Sequence, residues 1–162
     1  MKRTISRLSL LLLLSFSVSF AKEILPQEDA KEVMRLVVGA MPASHLSHQP
    51  LSESLMRRTL DNFLRALDYD RSLLMASDVT LLRQRAVDMQ SDFETGNVAF
   101  PYETFELIKE RANNRVAYVN TLLEKGFDLE TDESFIWRRK DAAWSEDEAA
   151  WDELWRKKVK NE

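Results

Sequence analysis

Residues 67–79 read LDYDRSLLMASDV and join two strongly amphipathic segments of the chain. The stripe before this run consists of Met56, Leu60, Phe63, Leu64 and Leu67, and the stripe after it consists of Val79, Leu82, Ala86, Met89 and Phe93. Both stripes have helical spacing, so the sequence predicts two helices joined by a corner. Ser77 is predicted to cap the second helix, with the Asp78 carboxylate in its first turn, where unpaired N–H groups favour an acceptor.

Two aspartates lie in this corner. Asp68 and Asp70 are predicted to form the turn by accepting hydrogen bonds from their own backbone. Asp70 is also expected to pair with Arg71 or another nearby arginine. Calcium binding is a weaker alternative, since the run lacks the glycine and the terminal glutamate of an EF-hand loop.

The whole chain is predicted to be all-α, an irregular bundle of about five helices. Only three Gly and four Pro occur in 162 residues, and the apolar spacing is helical nearly throughout. The predicted ranges are 26–40, 52–67, 78–95, 101–125 and a last helix that begins at 145. Gly96 and Gly126 are predicted to end two of them, and Ser145 with Glu148 is predicted to form a capping box.

Two of these helices have predicted apolar faces of their own. The first helix is expected to bury Val33, Leu36, Val37 and Ala40, and the long fourth helix to bury Phe105, Ile108, Ala112, Val116, Val119 and Leu122 or Leu123. The fourth helix is the longest and is expected to be the spine of the bundle. Residues 127–144 are less regular, and an extended run at 135–137 is predicted to pair or wedge against the bundle.

The first 21 residues are predicted to be a cleavable secretory signal peptide. A basic opening precedes an apolar run over residues 8–20, and small residues end at Ala21. The alternative is an uncleaved anchor, but the apolar run is shorter than the about 20 residues that a spanning helix needs. We therefore expect a periplasmic protein with no stable membrane anchor after cleavage. The chain contains no Cys, which excludes disulfides, thiol chemistry and lipid attachment at a cysteine.

The charge balance argues against nucleic acid as a partner. The formal net charge is −4, and loss of the basic leader makes the remaining chain more acidic. Binding to phosphates depends on a positive surface, so an acidic chain is poorly suited to it. Local basic clusters occur at Arg57-Arg58, Arg83 with Arg85, Arg138-Arg139-Lys140 and Arg156-Lys157-Lys158. Each lies beside acidic residues and is interpreted as a solvated helix face.

No catalytic, cofactor-binding or metal-binding residue is predicted. His45 and His48 have a spacing that two metal ligands can use, but no third ligand is nearby, and Pro42 and Pro50 place them in a linker. The carboxylate pairs show no contrast of environment that would support acid–base catalysis. The three glycines each flank a helix end, so no glycine-rich loop is present to form an oxyanion hole.

Four tryptophans near the C-terminal end form a candidate interface. They are Trp137, Trp144, Trp151 and Trp155. Aromatic anchors are enriched at binding hot spots, which supports an interface. Burial in the local core is the alternative and is favoured for Trp151 and Trp155, which lie four residues apart.

Several motifs carry a resemblance to a known family. Leu67-Asp68-Tyr69 together with LMASDV at 74–79 resembles the "LDY…LLASDV" signature of the N-terminal helical domain of bacterial tail-specific proteases, the carboxy-terminal processing peptidases. Further matches follow in order at 105–123, 124–125, 142–144, 154–155 and 158–160. The resemblance divides the chain into a signal peptide at 1–21, an N-terminal helix and linker at 22–50, and the family domain at 51–162.

The resemblance implies a non-catalytic scaffold. In the family this domain surrounds the PDZ and protease parts and takes part in substrate access and adaptor docking. The Ser-Lys dyad belongs to a later protease core, so no catalytic residue is transferred to this chain. The implied partners are that core, in cis or in trans, and protein substrates or an adaptor, and the chain is expected to be a fragment. The alternative is a free-standing periplasmic peptide- or protein-binding module of chaperone-like or inhibitor-like type.

Overall fold

The computed structural model describes residues 26–44 and 51–162 of the chain. Six α-helices and no strand occur in this part: α1 (Gln27–Ser44), α2 (Glu53–Leu67), α3 (Ala76–Arg85), α4 (Met89–Thr95), α5 (Ala99–Lys125) and α6 (Glu148–Asn161). The predicted all-α fold is confirmed. The predicted signal peptide, His45 and His48 lie outside the described residues.

The predicted helix ends at glycines are confirmed. Gly96 ends α4 with a φ of 71°, and Gly126 ends α5 with a φ of 73°. A side chain at either position would be strained, because this left-handed region favours glycine. At Gly96 an added Cβ would also lie 2.8 Å from Cγ of Arg35 on α1, so glycine here permits α1 to approach α4.

The helices on both sides of the corner pack their predicted stripes inward. The core cluster consists of Met56, Leu60, Leu64, Leu74, Val79, Leu82, Met89 and Phe100. The predicted helix over 78–95 is interrupted, because a 3₁₀ turn at Ala86–Asp88 separates α3 from α4. Such a turn is tighter than an α-helical turn but keeps the chain direction, so Met89 still reaches the core.

Both predicted N-caps are wrong. Met75, not Ser77, precedes α3, and its N–H donates to Oδ2 of Asp78 at 3.0 Å. Asp147, not Ser145, caps α6, where its carboxylate accepts the Ala150 N–H at 2.8 Å. The Ser145 carbonyl instead accepts the Ala76 N–H at 2.9 Å. Ser145 is therefore used to tie the segment before α6 to the start of α3.

The predicted inner faces of α1 and α5 are partly wrong. Val33, Leu36 and Val37 are 51–64% exposed on α1, and Phe105, Val116 and Leu123 are 37–60% exposed on α5. The buried residues of α5 are Phe100, Thr104 and Arg115. Arginines that pair with carboxylates of other helices occupy the inner side of α5, and apolar periodicity does not detect ion pairs. The helix is nevertheless the longest described, with 27 residues spanning about 40 Å.

Two smaller differences concern the ends of the predicted segments. Helix α1 was expected to stop before Pro42, but it continues to Ser44. A proline inside a helix removes one backbone hydrogen bond, and here the loss falls in the last turn. Residues 127–144 contain no helix, as predicted, and α6 begins later than expected, at Glu148. Backbone pairing in this segment occurs at Ser145 with Met75 and not at 135–137.

Candidate functional site

The corner at residues 67–79 is organised around the Asp68 carboxylate. Its Oδ1 accepts the N–H groups of Ser72 and Leu73 at 2.9 and 3.0 Å, and its Oδ2 accepts the Leu74 N–H at 3.0 Å. The indole Nε1–H of Trp144 donates to the same Oδ2 at 2.9 Å. Asp68 is 2% exposed, and its four N–H donors offset the cost of removing the carboxylate from water. Its predicted role as a turn former is confirmed.

The two tryptophans of α6 bind the same backbone carbonyl in this corner. The Nε1–H groups of Trp151 and Trp155 both donate to the Ser72 oxygen at 2.7 Å. A carbonyl oxygen has two lone pairs, and a spacing of four residues puts both rings on one face of α6. Trp151 is 2% exposed and Trp155 is half-buried, so α6 is anchored to the corner through both rings.

A polar cluster completes this contact. Lys158 Nζ lies 2.6 Å from Oδ2 of Asp70 and 3.0 Å from Oγ of Ser72. The Ser72 hydroxyl also lies 2.8 Å from Oδ1 of Asp70. Burial acts to raise the pKa of Asp70, but the hydrogen bonds from Lys158 and Ser72 and the Lys158 and Arg139 charges outweigh it, so that the pKa lies below its usual value. The cation that pairs with Asp70 is thus Lys158 and not the expected arginine.

Ser72 and Lys158 together invite comparison with a nucleophile and its base, but their geometry does not suit catalysis. Lys158 Nζ is held by the Asp70 carboxylate at 2.6 Å. Ser72 is 1% exposed, so its hydroxyl is closed to a substrate carbonyl. The arrangement is suited to fastening α6 to the corner.

Helix α5 is joined to its neighbours by two arginines. Arg111 forms a bidentate pair with Asp78 on α3, with N···O distances of 2.9 and 2.8 Å. Arg115 pairs with Asp152 on α6 at 2.5 Å, and its Cζ lies 3.4 Å from the centroid of the Trp151 ring. Asp78 and Arg115 are both buried, and pairing offsets the cost of removing their charges from water.

The segment between α5 and α6 presents the fourth tryptophan to solvent. Trp137 is 67% exposed, and Cζ of Arg138 lies 4.6 Å from its ring centroid. The segment is held to α6 by Glu133, which pairs with Arg156 and with Lys160. Hydrogen bonds from Arg156 and Lys160 lower the pKa of Glu133 from 4.5 to about 2. The four predicted interface residues are therefore not brought together: three converge on the corner and Trp137 lies apart.

Several residues of this site are absent from the sequence-based prediction. Arg111, Arg115 and Lys158 were not identified, and Lys158 was assigned to a solvated cluster. A usable signal existed for two of them, because Arg111 and Arg115 lie four residues apart, in helical register with the buried Thr104. A second signal is chemical, because a buried indole N–H requires a hydrogen-bond acceptor elsewhere in the fold.

The described residues offer no metal site and no membrane span. Within 26–44 and 51–162, no three His, Cys, Asp or Glu side chains are grouped so that they could hold a metal ion. No helix in these two ranges combines the length and the apolar character needed to cross a bilayer.

The fold and the corner define the chain as an all-α domain that is built around a buried polar corner. Its residues 37–162 match the family described as "Tail specific protease N-terminal domain". The chain is also similar to the "Tail-specific protease" of Haemophilus influenzae, with 23% identity over 136 residues, which are 83% of this chain and 20% of the relative.

The chain belongs to the tail-specific protease N-terminal domain family, because the match covers most of its length. It spans about a fifth of the length of the curated relative that it matches. The resemblance that the corner motif indicated is confirmed.

Proposed function

We propose that the chain is a non-catalytic scaffold and docking domain of a tail-specific protease. The family match over residues 37–162 carries this proposal. The corner supports it, because the carboxylates and cations there pair with one another and hold helices together. The proposed site of action is the periplasm, which the chain reaches through the leader at 1–21. The whole protease acts, on this proposal, on proteins near unstructured C-termini.

The docking surface that we propose is an apolar stripe on α5. It is formed by Phe105, Ala112, Val116, Val119 and Leu123, and is called the α5 stripe. Val116 and Leu123 are 60% and 59% exposed, and the five positions follow one another at helical spacing. Contiguous apolar surface of this kind marks interaction sites in soluble proteins. The occupant is the protease and PDZ body, since the matched relative is about five times longer than the matched region.

A binding experiment tests this surface. The chain is titrated with the separately produced protease and PDZ body of a tail-specific protease, and the Kd is measured by calorimetry. Val116→Asp is expected to weaken binding at least about tenfold, because a carboxylate would be desolvated in the interface. Asn113→Asp adds the same charge at an exposed position of the same helix and should bind as the original chain does. No measurable association, or equal loss in both variants, would refute the proposal.

An activity measurement tests the non-catalytic part. The purified chain alone is expected not to cleave a peptide with an apolar C-terminus. Turnover that a substitution within this chain abolishes would show that the chain is itself an enzyme.

One observation favours a second function, that of a peptide-binding module of chaperone-like or inhibitor-like type. An apolar groove of about 450 Å³ lies between α1 and α2, and Met34, Met41 and Met56 are among its lining residues. Flexible methionines suit a surface that accepts varied apolar side chains. Loss of peptide binding in Met34→Glu but not in Val116→Asp would support this function over docking through α5.

A further inference from the structure

The corner contains a recess whose lining is suited to binding an anion. It has a volume of about 190 Å³ and opens beside α2 and α3. Its charged and aromatic lining includes Asp61, Arg65, Asp68, Arg71, Arg83 and Trp144. We propose that this recess, the corner pocket, binds a side-chain carboxylate of an acidic peptide segment.

The Trp144 ring forms a fixed platform in the corner pocket. Its Nε1–H donates to Asp68, which sets the orientation of the ring. Cζ of Arg71 lies 4.5 Å from the ring centroid, and Cζ of Arg83 lies 5.9 Å from it. Two guanidinium groups thus lie close to one indole, and they place positive charge at the pocket where an anion could bind.

The backbone at Arg71 is held in an uncommon conformation that keeps its side chain in the pocket. Arg71 has a φ of 52°, and it is the one non-glycine residue with positive φ in the described part of the chain. This region is unfavourable for residues with a long side chain, and such strain is often found at functional sites. The guanidinium is further fixed by donating to the Ala142 carbonyl.

The arginines that line the corner pocket have more N–H donors than their contacts with the described residues occupy. Arg65 makes no ion pair with any residue that the structure describes. Arg83 pairs with Asp61 at 3.2 Å, and both side chains are more than half exposed. Asp68 already accepts four N–H donors, so it has little capacity left for the arginines. Guanidinium groups bind planar carboxylates through paired N–H bonds, and neither Arg65 nor Arg83 makes a paired contact of this kind with a described residue.

The charge of the pocket selects among anions. Three arginines and two aspartates leave one net positive charge, which matches one carboxylate better than a doubly charged phosphate. The formal net charge of the whole chain is −4, and this disfavours long polyanions. Tyr69 lies at the pocket and is 62% exposed, so its ring is accessible to the apolar stem of a peptide side chain. The inference rests on the proposed docking function, and it specifies the chemistry of one docking partner, an acidic peptide segment.

A nuclear magnetic resonance titration of the ¹⁵N-labelled chain tests the corner pocket. The probes are the peptide acetyl-AELEA-amide, its neutral counterpart acetyl-AQLQA-amide, and inorganic phosphate at the same ionic strength. We expect saturable shifts of the Trp144 indole N–H signal with the acidic peptide and not with the neutral one. Arg65→Gln is expected to weaken the apparent affinity roughly tenfold, since it removes one charge-assisted contact. Arg58→Gln is the matched control, on the same helix and outside the pocket.

Any of the following outcomes would overturn the inference. The acidic peptide produces no saturable shift at Trp144, or both peptides shift it equally, or Arg58→Gln weakens binding as much as Arg65→Gln does. Saturation by phosphate at lower concentration than by the peptide would also overturn it, since the pocket would then be a site for a free oxyanion. Binding of the catalytic body without binding of the peptide would refute the corner pocket alone. Binding of the peptide without binding of the catalytic body would refute the proposed docking function alone.

Discussion

Asp68 links three parts of the chain through a single carboxylate. It accepts three successive backbone N–H groups of the corner and the indole N–H of Trp144, which lies 76 residues further along the chain. Those donors are fixed by the turn and by the core, so they find no other acceptor when the carboxylate is removed. The cost of an unpaired buried donor then applies at several atoms together.

We predict that Asp68→Ala lowers the free energy of unfolding by more than about 3 kcal/mol, because several buried donors lose a charged acceptor. Asp88→Ala is the control, since its ion pair with Arg85 is exposed and such pairs contribute less than about 1 kcal/mol. Urea denaturation followed by circular dichroism measures both. Equal midpoints for the two variants would show that the corner does not depend on this carboxylate.

Glu133 gives the chain an acid-sensitive contact. Hydrogen bonds from Arg156 and Lys160 lower its pKa from 4.5 to about 2 in the folded chain. A carboxyl whose folded pKa lies below its unfolded pKa stabilises the fold above the unfolded value. That stabilisation is lost as the pH falls from about 5 towards 2.

We therefore predict that Glu133→Gln lowers the Tm at pH 7, and that the difference from the original chain shrinks below about pH 4.5 and vanishes near pH 2. Glu130→Gln is the control, because Glu130 is exposed and makes no ion pair with a described residue. Thermal melts across this pH range measure the effect. A Tm difference that stays constant with pH would contradict the assignment.

At the scale of elements, α6 is held by rings and charges more than by an apolar stripe. Trp151 contributes the buried ring, and Arg115 of α5 stacks on it while pairing with Asp152. Lys158 adds the contact with Asp70 one turn beyond Trp155. The aromatic area supplies the apolar burial, and the polar groups set the register of α6 against the corner.

We predict that Trp151→Ala lowers the free energy of unfolding by about 3–5 kcal/mol, because it leaves a cavity and removes one of the two indole donors to the Ser72 carbonyl. Trp137→Ala is the matched control, and at 67% exposure it should change stability by less than about 0.5 kcal/mol. Chemical denaturation measures both variants. An equal loss of unfolding free energy in Trp137→Ala and Trp151→Ala would contradict the prediction, because the contacts of the exposed Trp137 do not explain such a loss.

At the scale of the whole molecule, α1 differs from the other helices. It contributes no residue to the buried core cluster, and Val33, Leu36 and Val37 are more than half exposed. Its contact with α4 runs over Gly96, where the Arg35 side chain approaches the backbone closely. Few buried contacts mean a small free energy of local opening.

We predict that backbone amides of α1 exchange with deuterium at least about a hundredfold faster than those of α2 around Leu60 and Leu64. Hydrogen exchange read by mass spectrometry measures the difference. Equal protection would show that α1 opens only with the whole fold. Addition of a peptide that fills the groove beside α1 should slow its exchange, since an occupied groove adds contacts to that helix.

The sequence by itself determined the helical class, the corner, the apolar stripes of α2 and of 79–93, and the glycine ends of α4 and α5. These features depend on spacing along one segment and on local turn chemistry, which are present in the order of residues. The family resemblance came from the same corner. The inward direction of Leu60 and Val79 could be predicted because each lies on a single amphipathic stripe.

Only the tertiary structure decided which charged groups pair and which side of α5 faces inward. Arg111 with Asp78, Arg115 with Asp152 and Lys158 with Asp70 join residues that are 33 to 88 positions apart. Helical register can place an arginine on an inner face, but it does not show which acid will be its partner, since any of many acids can pair with any base once the helices meet. The pairs of Arg111 and Arg115 hold one side of α5 inward, and the α5 stripe lies about a quarter turn away from that side. Which side is held inward depends on partners far along the chain, so a local pattern does not show it.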